Sequence, residues 1–91
     1  MGIDVVVPTV FLTYTDGNKH LTASGTTVGE VLVDVDDRHP GLRSRVVATD
    51  GGLRRFINIY VNDVDIRHSG VMETRVSDGD SIMILPAVAG G

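Results

Sequence analysis

Only one stretch of this 91-residue chain carries a sustained helical period, and that fact narrows the fold more than any other. Val28, Val31, Leu32 and Val35 recur at i, i+3, i+4 and i+7, which places them along one apolar stripe of an α-helix. Thr27 stands just before the stripe and Glu30 three residues further on, a capping box in which hydroxyl and carboxylate each accept from an otherwise unpaired backbone N–H. Pro40-Gly41 closes the segment. Gly29 and the β-branched valines make the helix weak in isolation, so it needs a surface to pack against.

The rest of the chain supplies that surface, because its apolar period is two. Ile3, Val5 and Val7 share one side of an extended strand that Pro8 brings to an end. Asp16-Gly17-Asn18 is a turn signal, and Lys19 to Ala23 is the returning arm of a hairpin. Phe56 to Val61 alternates cleanly, Asn62-Asp63 reverses the chain into Val64 to Arg67, and Asp78-Gly79-Asp80 precedes a last strand from Ser81 to Leu85. Between Gly41 and Gly52 the pattern is mixed, with a short helical turn around Ser44 to Val47, and Val71 to Thr74 is a second such turn. The order β-β-α-β-β-β predicts an α+β fold, a mixed sheet of four to five strands with one main helix across one face. The other face is left wet or open to a partner.

Alternation also sorts the side chains. Ile57, Ile59, Val61, Ile82 and Ile84 suit the helix-covered core, which leaves Phe56, Tyr60, Met83 and Leu85 outward as a candidate docking patch. Beyond Leu85 the sequence is Pro86-Ala87-Val88-Ala89-Gly90-Gly91, where the proline should end the ladder and no large side chain follows. We therefore divide the chain into a folded domain, 1–86, and a flexible C-terminal tail, 87–91. The last five residues span about 17 Å at most when extended, enough to enter another protein's active site, and Pro86, Ala87, Val88, Ala89, Gly90 and Gly91 are the residues expected to be inserted there. Glycine at both final positions suits a narrow tunnel, having no Cβ and a wide range of backbone angles.

Composition excludes several classes. There is no cysteine, hence no disulfide, thiolate metal site or cysteine nucleophile. A net charge of −4 disfavours nucleic acid as a partner, although Arg38, Arg43, Arg45, Arg54 and Arg55 gather in one segment that reads mainly as solvated loop. His20, His39 and His68 have no metal-ligand spacing, and Asp34, Asp36, Asp37, Asp78 and Asp80 match no calcium loop and read as solvated carboxylates. No phosphate loop, catalytic triad or nucleophile elbow is present. The start Met1-Gly2-Ile3-Asp4 has no basic n-region and no apolar run reaches membrane-spanning length, from which we expect a soluble cytoplasmic protein with no membrane partner.

Hairpin, helix, hairpin and the ending Ile84-Leu85-Pro86-Ala87-Val88-Ala89-Gly90-Gly91 together resemble the ubiquitin-like β-grasp sulfur carriers. These include the small subunit of molybdopterin synthase, the thiamine-pathway carrier and the carrier that feeds cysteine synthesis in actinobacteria. Arg55 to Asp63, with the ending, is most similar to the last of these. The resemblance implies adenylation of Gly91 by an E1-like enzyme with ATP, then displacement of AMP by a sulfur donor to leave a terminal thiocarboxylate. It further implies sulfur delivery to a cysteine synthase dependent on pyridoxal phosphate (PLP), followed by release of cysteine by a zinc protease of the JAMM type. ATP, PLP and zinc would all belong to the partners and none to this chain. Two alternatives stay open: sulfur donation for molybdenum cofactor, and a ubiquitin-like modifier conjugated through Gly91.

Overall fold

The apolar stripe of the helix meets a five-stranded sheet. The computed structural model describes residues Gly2–Ala87; the expectations placed on Met1 and on Val88, Ala89, Gly90 and Gly91 lie outside them. The strands are β1 (Ile3–Val6), β2 (His20–Ala23), β3 (Ile57–Val61), β4 (Val64–Asp65) and β5 (Ser81–Pro86), in the spatial order β2-β1-β5-β3-β4. β1 and β5 run parallel and the other pairs antiparallel, so the sheet is mixed as expected. β5 arrives last in sequence yet occupies the centre of the sheet.

The main helix, α1 (Val28–Arg38), buries Val28, Val31, Leu32 and Val35, the four residues of the predicted stripe. Each such side chain contributes about 1.5–3 kcal/mol when withdrawn from water, which offsets the poor intrinsic propensity. Facing them are Ile3, Val5, Ile59, Ile82 and Ile84, all at 0% exposure. The cap forms with one shift of partner. Thr27 Oγ1 accepts from the Glu30 N–H at 3.2 Å, while Glu30 Oε1 accepts from the N–H and hydroxyl of Thr26, both at 2.8 Å. Those two bonds, with the charge of Arg75 adding to them, hold the Glu30 carboxyl below the usual carboxylate range.

The connections depart from expectation more than the strands do. Between β1 and β2 the chain makes a 3-10 segment, Thr9–Tyr14, before the predicted turn at Asp16 and Gly17. β4 is shorter than foreseen: after Asp65 the chain turns into a 3-10 segment, Ile66–His68, because Ile66 is driven fully into the core. The predicted turn around Ser44 is a short helix, α2 (Leu42–Val46), starting from Gly41 at φ +100° with the Tyr14 ring close by. Asp36 Oδ1 accepts from the N–H groups of Gly41 and Arg43, each at 3.1 Å, and so serves the start of α2. Asp34 Oδ2 accepts from the Ser24 N–H and from Arg38 Nη2, both at 2.9 Å. These two carboxylates, expected to be merely solvated, tie α1 to its neighbours.

The reversal between β3 and β4 has positive φ at both Asn62 and Asp63, the pattern of a two-residue hairpin whose twist matches its strands. Asn62 then clamps the start of β5: its Nδ2 donates to Asp80 Oδ1 and its Oδ1 accepts from the Ser81 N–H, both at 3.0 Å. Bonds from Asn62 and from the Ser77 N–H lower the Asp80 carboxyl below its ordinary value. The beginning of the strand that leads to the tail is thereby fixed.

Candidate functional site

The register of β3 against β5 decides where the tail leaves the body. The sequence places the end of the ladder at Pro86, but pairing continues one residue further. Pro86 lies opposite Ile57, and the Ala87 N–H donates to the Phe56 carbonyl at 2.7 Å. Hydrogen bonds alternate along an antiparallel pair. Asn62 to Ser81 and Ala87 to Phe56 are bonded positions, so Ile57 and Pro86, an odd number of residues away, form a non-bonded pair. The face of Pro86 that lacks an N–H is then turned away from β3, toward the side where β1 has already ended at Val6, opposite Met83. The proline is accommodated inside the strand, and of the predicted tail, Pro86 and Ala87 belong to the edge of the folded body.

Three residues of the predicted patch share the open face. Tyr60 lies directly opposite Met83, which on its other side pairs with Val6, and Leu85 lies opposite Asn58. Met83 is 37% and Leu85 39% exposed, whereas their strand neighbours Ile82 and Ile84 are fully buried. Tyr60 is half-buried. Phe56 is placed differently: it stands just ahead of β3, 49% exposed, and lines a cavity with Phe11, Arg45, Arg54, Arg55 and Ile57.

The sequence reading passed over two features of this face. Arg67 Nη1 donates to Asn58 Oδ1 at 2.7 Å and Nη2 to the Ile57 carbonyl at 2.9 Å, so a cation borders the apolar row. A groove of about 280 Å³ runs beside the end of β5, lined by Val6, Val7, Pro8, Val10, Leu85 and Pro86 among others. The outward positions of Val6 and Asn58 were legible in the alternation; the reach of Arg67 was not. Among the described residues no group of three His, Cys, Asp or Glu side chains is placed to hold a metal ion. No described helix is long and apolar enough to cross a membrane.

A mixed five-stranded sheet with its last strand near the centre and one main helix across one face is the architecture of a ubiquitin-like domain. Comparison with known proteins agrees: the ThiS family model matches residues 5–91, and the chain belongs to that family, among the β-grasp sulfur carriers. It is 46% identical to the sulfur carrier protein CysO of Mycobacterium tuberculosis, across the full length of both. In a crystal structure of the Amycolatopsis orientalis BexX/CysO complex, a matching chain superimposes with a TM-score of 0.93 at 50% identity, covering 99% of this chain and 100% of that one. Small archaeal modifier protein 3 of Haloferax volcanii is 35% identical over 65 residues, 71% of this chain and 70% of its own.

Proposed function

We propose that the protein is a sulfur carrier whose cargo is held on the carboxyl group of Gly91, and that the sulfur is destined for cysteine. A chain-terminal carboxylate, with an ordinary pKa of about 3.5, is a stabilised anion at neutral pH and resists attack until it is activated. An E1-like enzyme would join it to AMP, with loss of pyrophosphate from ATP. A sulfur donor would then displace AMP and leave a thiocarboxylate. A PLP-dependent cysteine synthase would take the sulfur, and a zinc protease of the JAMM type would free the product and restore the Gly91 carboxylate. The chain contributes an acyl terminus and a docking surface, and all catalytic groups reside in its partners.

The full-length similarity to the sulfur carrier CysO is the observation that carries this proposal. The placement of the tail root on the central strand supports it, since β5 is held on both sides through Met83 and by β3 from there to Ala87, and so offers a fixed base from which to extend. Absence of cysteine is compatible as well, because a carrier without thiols cannot divert its own activated acyl group into a thioester. Conjugation of Gly91 to lysines on target proteins is the other function with a specific observation in its favour, the similarity to small archaeal modifier protein 3.

The docking patch is tested by replacing Tyr60 and Leu85 together with serine. Burial of an aromatic and an aliphatic anchor at an interface is worth about 2–4 kcal/mol, so affinity for the activating enzyme should fall by roughly 30- to 1,000-fold. The thermal unfolding midpoint should move little, since the pair faces away from the core. Titration calorimetry that finds the affinity unaltered would remove the patch from the mechanism. ATP–pyrophosphate exchange with the same enzyme, driven by the unsubstituted protein, tests the activation step itself.

A further inference from the structure

The arginine segment noted in the sequence folds into something more specific than a solvated loop. Arg45, Arg54 and Arg55 line a cavity of about 420 Å³ together with Phe11, Phe56 and Ile57. Arg45 donates through Nε to the Tyr14 hydroxyl at 2.6 Å and lies over the same ring, 5.5 Å from its centroid. Arg54 donates through Nε to the Ser44 carbonyl at 2.6 Å, and Arg55 lies over the Phe56 ring at 5.6 Å. The first two guanidinium groups are each anchored through one nitrogen, which restricts their motion and leaves the terminal nitrogens for another acceptor. Among the described residues the ion pairs are those of His20, Arg38 and Arg67, so none of these three arginines has a carboxylate partner there.

Anchored guanidinium groups beside an aromatic ring favour a carboxylate, which can bond two N–H groups at once, with little further loss of side-chain freedom on binding. The cavity also touches the root of the tail, because Phe56, one of its walls, accepts the Ala87 N–H. The chain as a whole carries a net charge of −4, and three of its eight lysines and arginines gather at this one cavity, a local positive site for an acidic partner on an otherwise net-acidic molecule. Such an arrangement orients as well as attracts. We propose, with the carrier function above as premise, that Arg45, Arg54 and Arg55 form a cradle for an acidic, carboxylate-bearing segment of the enzyme that takes up the tail, so that docking brings the tail root forward.

The test uses the full-length protein and its cognate activating enzyme, with association measured at low and at high salt. Arg54→Glu combined with Arg55→Glu should weaken binding at low salt by about 10- to 100-fold, mainly through slower association, and flatten the salt dependence. The loss should appear as a raised KM in ATP–pyrophosphate exchange. Arg55→Glu alone, at an exposed position with no backbone anchor, should give about a fivefold loss, and it guards against a folding defect in the double variant. Equal affinity and equal salt dependence in both variants would overturn the cradle while exchange by the unsubstituted protein kept the carrier function intact. Tighter binding by the variants would overturn it in another way, by showing that the arginines hold the protein's own Gly91 carboxylate. Failure of the unsubstituted protein to bind or to support exchange would overturn both.

Discussion

A protein extended by one residue beyond Gly91 should give no measurable ATP–pyrophosphate exchange with its activating enzyme, although its fold and stability are unchanged. One added residue carries the carboxylate onward by about 3.3–3.6 Å. Displacement of a reacting group by even ~1 Å can cost on the order of 10²-fold in rate, because near-attack geometry is lost. With the patch docked as proposed, a shift of the whole domain would not restore the geometry, since the patch and the tail root lie on one strand pair, β3 and β5. Gly91→Ala keeps the length and adds a Cβ at the reacting residue. Its exchange rate should fall by about 100-fold, the same order of penalty for crowding and misorientation. Exchange by either variant at the unsubstituted rate would mean that the terminal carboxyl is not the group activated.

Ile59→Ala should cost about 2–5 kcal/mol of folding stability. Ile59 is fully buried and paired across the ladder with Ile84, itself fully buried, in the layer that receives the stripe of α1. Truncation removes apolar contact and leaves a cavity that rigid neighbouring strands cannot collapse to fill. For a domain of this size the total is on the order of 5–15 kcal/mol, so a single substitution consumes a large part of it. Met83→Ala on the opposite face should cost less than about 1 kcal/mol, because the side chain is already partly in water. Urea denaturation of the two variants measures the contrast. Equal midpoints would contradict the assignment of faces on which the docking patch rests.

That assignment of faces was the part most legible in the sequence. Period-two alternation in Ile57 to Val61 and Ser81 to Leu85 admits one division into core and open sides, and a one-residue error would have buried Tyr60 and Met83. The stripe of α1 was equally plain, because four apolar residues at helical spacing bracketed by a capping box leave little choice. The failures were in segments where tertiary contacts override local pattern. Val64 to Arg67 has the look of a full strand, but Ile66 is needed in the core, and a 3-10 turn delivers it after only two strand residues. Pro86 was assigned to the end of the ladder on its missing N–H alone; whether that position falls on a bonded or a non-bonded pair depends on register, which composition does not reveal.

The candidate site divided in the same way. Tyr60, Met83 and Leu85 came together because they lie on neighbouring strands in a register that alternation constrains. Phe56 did not join them in a single role, since it sits just outside β3 and lines the arginine cavity. Asp34 and Asp36 looked like surplus charge on a helix, because their backbone partners, Ser24, Gly41 and Arg43, are up to ten residues away and are brought close only by folding. The arginine cradle was visible as a run of basic residues, but the anchors that give it a shape, Tyr14 and Ser44, were not.

The most direct test is the intact mass of the protein recovered after incubation with its activating enzyme, ATP and a sulfur donor. A carrier shows sulfur in place of one oxygen at the C-terminus, the change disappears when ATP is omitted, and fragmentation places it on Gly91. A mass that is unchanged after enzyme turnover, or a branched adduct to lysine with no sulfur-bearing form, would contradict the claim that this polypeptide end is a sulfur handle.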